Sequence, residues 1–70
     1  DYTRPKDVEA LYNLGLILQI QGKREAAYDT LYRATWNYTY NSAANTQLAR
    51  MYSEEKRWDM ALERLDEAIA

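Results

Sequence analysis

Apolar residues recur along this chain at the three- and four-residue intervals of an α-helix, and polar segments interrupt the pattern three times. The pattern predicts four helices, over residues 8–21, 23–37, 43–53 and 57–70. Asp7 is the predicted N-cap of the first helix, and Gly22 is expected to end it because glycine accepts a positive φ angle. Asn41 and Ser42 are good N-cap types before the third helix. Since the connections are short, we predict an all-α fold of two stacked antiparallel helix-turn-helix hairpins.

Residues of the same chemical type return after thirty-four positions. The pairs are Leu14 with Leu48, Gly15 with Ala49, Leu18 with Tyr52, Ala27 with Ala61, Leu31 with Leu65, and Ala34 with Ala68. A constant offset of this size indicates an internal repeat. We expect the buried face of the second helix to carry Ala27, Leu31 and Ala34, and that of the fourth helix to carry Ala61, Leu65 and Ala68.

This pattern resembles the tetratricopeptide repeat (TPR), a helix-turn-helix unit of thirty-four residues. The matching residues are Leu14, Gly15, Leu18, Gly22, Ala27, Leu31 and Ala34 in one unit, and Leu48, Ala49, Tyr52, Trp58, Ala61, Leu65 and Ala68 in the other. The chain departs from the motif where Leu11 and Asn45 replace an early aromatic residue and Thr39 replaces the closing proline.

The resemblance implies one repeat over residues 8–41 and a second, truncated repeat over residues 42–70. Residues 1–7 then look like the tail of an upstream repeat or a linker. We therefore expect this chain to be a piece of a longer bacterial solenoid protein.

The resemblance also implies a concave binding groove, lined by the first helix of each hairpin. By helical spacing, one row on the first helix is apolar and the equivalent row on the third helix, Thr46, Arg50 and Glu54, is polar. The candidate groove residues are Tyr12, Asn13, Leu16, Gln19, Ile20, Gln47 and Arg50. Arg50 suits a carboxylate because its planar guanidinium pairs in a bidentate way. Alternatively, Leu16 and Ile20 pack on a further helix that precedes this chain.

Aromatic residues are concentrated in the connection between the two repeats, which carries Trp36, Tyr38 and Tyr40. They suit stacking on a sugar or another flat ligand, because such side chains bury a large area and keep a polar group. Alternatively, they fill the space left by the missing proline and plug the joint between the hairpins. Trp58 is expected to pack under the turn of its own hairpin.

The amino-acid composition limits the kinds of catalysis and binding that we expect of this chain. The 70 residues contain no Cys and no His, which removes the usual nucleophile–base pairs and the commonest metal ligand. The carboxylates of the last helix, such as Asp59 and Glu63, are typical of a solvated helix face. Scattered basic residues and a net charge of −2 argue against nucleic-acid binding, and no apolar run is long enough for a membrane span. We predict a non-enzymatic protein with no cofactor and no metal.

The leading hypothesis is a scaffold that binds a protein or peptide partner on its concave face. An accessory repeat segment of a larger bacterial carbohydrate-active protein is the alternative. A third hypothesis is self-association into a homo-oligomer through the exposed ends of the stack, where an apolar face would lie open.

Overall fold

The computed structural model describes residues 5–69. Four α-helices and no β-strand occupy that range, which confirms the all-α prediction. The helices are α1 (Pro5–Ile20), α2 (Arg24–Ala34), α3 (Asn41–Glu54) and α4 (Trp58–Ile69). Within residues 5–69, none of them is long and apolar enough to cross a membrane.

Helices that follow one another in the chain pack together. The contacts of α1 with α2 and of α3 with α4 are the most extensive, and a smaller contact joins α2 to α3. The shortest dimension of the Cα trace is 16 Å. That is about the thickness of two helix layers, since packed helix axes lie roughly 8–10 Å apart.

The core lies between α2 and α3. Ala27, Leu31 and Ala34 are fully buried, which confirms the predicted face of α2. Leu31 and Ala27 form one cluster with Leu48 and Met51 of α3. Of the other repeat-motif residues, Gly15, Ala49 and Ala61 are buried, and Leu18, Tyr52 and Ala68 are half-buried.

Gly15 marks the closest approach of α1 to α2. A Cβ atom added to Gly15 would lie 2.6 Å from Cδ2 of Leu31 and 2.7 Å from its Cγ, closer than real carbon atoms approach. Only a residue without a side chain allows Leu31 to sit there, so Gly15 sets the distance between the two helices.

The turn after α1 and the turn after α3 have the same geometry, thirty-four residues apart. Gly22 has a φ angle of 79° and Lys56 one of 61°, which confirms that Gly22 ends the first helix with a positive φ. The amide of Lys23 donates to the Leu18 carbonyl at 2.9 Å, and the amide of Arg57 donates to the Tyr52 carbonyl at the same distance. The repeat seen in the sequence therefore extends to backbone hydrogen bonds.

Several predicted helix ends differ from the structure. α1 begins at Pro5, so Asp7 lies in the first turn and is not the N-cap. α2 ends at Ala34 and not at residue 37. α3 begins at Asn41, so Asn41 and Ser42 lie inside the helix, and its N-cap residue is Tyr40, which makes no side-chain capping bond. Residues 1–4 of the predicted tail and Ala70 of the predicted fourth helix lie outside the described residues.

The side chain of Asn41 forms a hydrogen bond with the end of α2. Its side-chain amide donates to the Thr35 carbonyl at 2.7 Å, across the connection that follows α2. That bond satisfies a carbonyl at the end of α2, so Asn41 caps the preceding helix and not the one that it begins.

Three bulky repeat-motif residues are exposed. Leu14 on α1 and Leu65 on α4 are 46% and 43% exposed, contrary to the prediction of buried faces. Trp58, predicted to pack under the turn of its own hairpin, is 57% exposed. Trp36 and Tyr38 are also exposed, so they do not plug the joint, whereas Tyr40 packs on the Tyr12 ring at 5.3 Å.

Candidate functional site

A cleft of about 360 Å³ opens between α2, α3 and α4. We call it the tyrosine cleft; its walls include Tyr28, Tyr32, Leu48, Tyr52, Met60 and Arg64. It continues past Tyr28 and Tyr52 into a second, more polar hollow of about 450 Å³ beside Arg24, Glu55 and Arg57. The volume of the tyrosine cleft lies in the range typical of ligand pockets, roughly 300–1,000 Å³.

The floor of the tyrosine cleft is a stacked pair of tyrosines. Tyr28 of α2 and Tyr52 of α3 have ring centroids 4.7 Å apart and an interplanar angle of 27°. The guanidinium of Arg57 lies 5.0 Å from the centroid of the Tyr52 ring. A stacked pair with a cation over one ring is a rigid apolar surface, since each contact restricts the others.

Arg24 makes the hydrogen bonds that join the two helices beside the polar hollow. Its Nε donates to Glu55 at 2.5 Å, and its terminal nitrogen donates to the Met51 carbonyl at 3.0 Å and contacts Glu54 at 3.3 Å. The guanidinium thereby ties the first turn of α2 to the end of α3. The hydrogen bond from Arg24 lowers the pKa of Glu55 below its ordinary value of 4.5, and Glu55 in turn raises the pKa of Arg24.

The Tyr28 hydroxyl lies at the boundary between the two hollows. Its oxygen is buried, and the Glu55 carboxylate and the Arg24 guanidinium lie beside it. Burial raises the pKa of this phenol, and the neighbouring Glu55 carboxylate adds to the effect.

Arg64 forms the opposite wall. Its guanidinium donates to Oδ1 of the buried Asn45 at 3.1 Å and lies 5.8 Å from the centroid of the Tyr32 ring. Because Asn45 is enclosed between α3 and α4, this bond orients the arginine along the cleft. The charge of Arg64 is also 3.8 Å from Glu63.

Replacing Glu55 with glutamine is expected to destabilise the fold at neutral pH, because the carboxylate that accepts from Arg24 is lost. The pKa of Glu55 is lowered in the folded state, so the unfolded state takes up a proton first as pH falls. The stability difference between wild type and Glu55→Gln should therefore be complete above about pH 4.5 and disappear as pH falls through the lowered folded pKa. Urea unfolding between pH 7 and pH 2 measures it.

Glu9→Gln is the matched control, because Glu9 is exposed on α1 and forms no ion pair within residues 5–69. Its stability difference from wild type should be small at every pH. An equal, pH-independent loss in Glu55→Gln would show that the carboxylate charge is not what Arg24 requires.

The seven groove candidates lie elsewhere than the tyrosine cleft. Tyr12 packs against the core cluster and the Tyr40 ring. Leu16, Gln19 and Gln47 are half-buried, and Asn13, Ile20 and Arg50 are exposed. The guanidinium of Arg50 lies 3.7 Å from Glu54, one turn along α3.

Of the three cleft tyrosines, the sequence pattern identifies only Tyr52, as a repeat-motif residue and not as part of a binding site. Tyr28 and Tyr32 are four residues apart on α2, a spacing that places them on one side of a helix. This spacing indicates a shared side of α2, but nothing in the sequence positions of Tyr52 and Arg64 indicates that they lie beside it in the tyrosine cleft. Within residues 5–69, no group of three acidic, His or Cys side chains is arranged to hold a metal ion.

A comparison of the chain with protein-family models finds no match, and neither the curated proteins nor the solved structures include one that matches it.

Proposed function

We propose that this chain is a non-enzymatic TPR-like scaffold that binds a peptide segment of a protein partner. The tyrosine cleft is the observation that carries the proposal. It joins a rigid aromatic floor, Tyr28 on Tyr52, to the guanidinium of Arg64 on the opposite wall. Peptide-binding sites combine an apolar surface with a few polar groups, because the anchor side chain supplies affinity and the polar groups fix orientation.

The repeat architecture rests on three supports. The thirty-four-residue offset pairs residues of one type, the turns at Gly22 and Lys56 have the same backbone geometry, and the helices form about two layers. Two stacked hairpins of the TPR type account for all three together. In this arrangement the chain presents side chains from several helices on one rigid surface.

The TPR resemblance alone would place the partner on α1 and α3, around Leu16 and Arg50. We assign the peptide to the cleft formed by α2, α3 and α4, because its walls combine stacked aromatic rings with a cationic side chain. The anchor is an aromatic or aliphatic side chain, which packs against Tyr52 and Met60.

The test is selection of displayed random peptides on the immobilised chain, followed by calorimetry with the synthesised peptides. Tyr32→Ala opens one wall of the cleft and Arg50→Ala alters the groove predicted from the resemblance; both side chains are partly or largely exposed, so both variants should fold. We expect Tyr32→Ala to weaken binding about tenfold or more, and Arg50→Ala to leave it unchanged.

The opposite pattern, in which Arg50→Ala weakens binding and Tyr32→Ala does not, would move the site to α1 and α3. A selection that yields no peptide with a measurable affinity for the folded chain contradicts peptide binding altogether.

A further inference from the structure

Two helix faces at opposite ends of the fold are apolar and exposed. The tail face is on α4 and consists of Trp58, Leu62, Leu65 and Ile69. The head face is on α1 and consists of Ala10, Leu14, Ile17 and Ile20. Trp58 is 57% exposed and Ile20 is 85% exposed. Neither face carries a charged side chain, so each is an apolar patch of the kind that marks an interaction surface.

The repeat offset shows what these faces correspond to. Thirty-four residues before the tail face lie Arg24, Tyr28, Leu31 and Thr35, the side of α2 that packs on α3. Thirty-four residues after the head face lie Ala44, Leu48, Met51 and Glu54, the side of α3 that packs on α2. In the middle of the fold, Leu31 and Met51 are fully buried, whereas their counterparts Leu65 and Ile17 are exposed. Both end faces are thus unpaired halves of the same interface.

Compared with the α2–α3 interface, the tail face and the head face carry different side chains, and the differences on the two faces match each other. Between α2 and α3, Arg24 pairs with Glu55 and, at a longer distance, with Glu54. The counterpart of Arg24 is Trp58 on the tail face, and the counterparts of Glu54 and Glu55 are Ile20 and Gln21 on α1. Uncharged side chains replace the ion pairs on both sides, so that neither side would leave a charge without a partner.

The stacked tyrosine pair of the α2–α3 interface is also replaced on both sides. The stacked rings of Tyr28 and Tyr52 correspond to Leu62 on α4 and to Leu18 on α1, which lies outside the four head-face residues and is half-buried against the core cluster. An aromatic pair becomes an aliphatic pair, again with both members altered. The tail face of this chain therefore complements its own head face in size and polarity.

We propose that the tail face of one copy docks on the head face of a second copy, as α2 docks on α3. The interface joins two different surfaces, so every open complex keeps one free head and one free tail unless a ring closes. Association accordingly continues beyond a dimer as concentration rises. This proposal uses the thirty-four-residue equivalence and is independent of peptide binding in the tyrosine cleft.

Sedimentation velocity over a series of micromolar to millimolar concentrations tests the proposal. The wild-type chain is expected to show an average mass that grows with concentration past that of a dimer. Trp58→Arg alters only the tail face and Ile20→Glu only the head face, and each is expected to weaken association about tenfold or more. Tyr38→Arg, at a fully exposed position in the connection after α2, is the matched control and should associate as the wild type does.

Mixing the two variants gives the sharpest outcome. The Ile20→Glu copy keeps an unchanged tail and the Trp58→Arg copy keeps an unchanged head, so an equimolar mixture is expected to recover association. The two altered faces also meet as an arginine and a glutamate, the pair found between Arg24 and Glu54.

A wild-type chain that stays monomeric throughout the series overturns the proposal, and it would leave the end faces to a different occupant. A symmetric interface also overturns it: then only one of the two single variants loses association, and the mixture does not recover it. Far-UV circular dichroism checks that each variant is folded. Leu62→Arg and Leu14→Glu, on the same faces, replace any variant that is not.

Discussion

Replacing Leu31 with alanine is expected to lower the free energy of unfolding by about 2–5 kcal/mol. Leu31 is fully buried and belongs to the cluster that holds α2 on α3. Removing its branched end deletes contacts with Leu48 and Met51 and leaves a cavity that surrounding helices fill only in part. A domain of this length has a total stability of about 4–10 kcal/mol, so Leu31→Ala is expected to remove a large fraction of it. Urea unfolding followed by circular dichroism measures the change.

Leu62→Ala is the matched control, because it makes the same chemical change on the exposed side of α4. It should alter stability by no more than about 0.5 kcal/mol, provided that the protein is dilute enough to be monomeric. Equal losses in the two variants would mean that the core does not lie between α2 and α3.

Gly15→Ala should destabilise the wild-type chain by up to about 2 kcal/mol. Alanine favours a helix over glycine by about 1 kcal/mol, but the new methyl group meets the Leu31 side chain at 2.6 Å. Since Leu31 is enclosed on every side, it must shift within a packed core, and such overpacking costs about 1–3 kcal/mol. The steric cost outweighs the gain in helix propensity.

The same substitution should change sign once Leu31 is shortened. In a Leu31→Ala background, the Cγ and Cδ2 atoms that Gly15→Ala would meet are gone. The added methyl group then fills part of the cavity, and stability should rise by about 1 kcal/mol. A double-mutant cycle from urea unfolding gives the coupling. Equal destabilisation in both backgrounds would contradict the close approach of α1 to α2.

Local chemistry explains what could be predicted. The buried face of α2 follows from the spacing of Ala27, Leu31 and Ala34, because a helix puts residues three and four apart on one side. The end of α1 follows from Gly22, because few residues adopt its φ of 79° without strain. Helix starts were less predictable: Asn41 is chemically a good N-cap, but its side chain is taken by the Thr35 carbonyl, six residues earlier.

The tyrosine cleft could not be predicted in the same way. Tyr28 and Tyr52 belong to different helices, and no spacing along the chain indicates that their rings stack at 4.7 Å. Their contact depends on the position of α2 along α3. The hydrogen bonds from Arg24 to Glu55 and to the Met51 carbonyl fix that position. The groove candidates rested on resemblance, and Tyr12 illustrates the difficulty, since its ring packs on Tyr40 and the core.

The sequence by itself determined the four helices, the thirty-four-residue period and the identity of the buried face of α2, because these depend on interactions between residues close in the chain. Only the tertiary structure decided which apolar faces are covered. Leu31 and Leu65 occupy the same place in the repeat, yet one is fully buried and the other exposed. An apolar periodicity shows that burying a helix face would stabilise the protein. Whether another helix lies against that face depends on the tertiary arrangement.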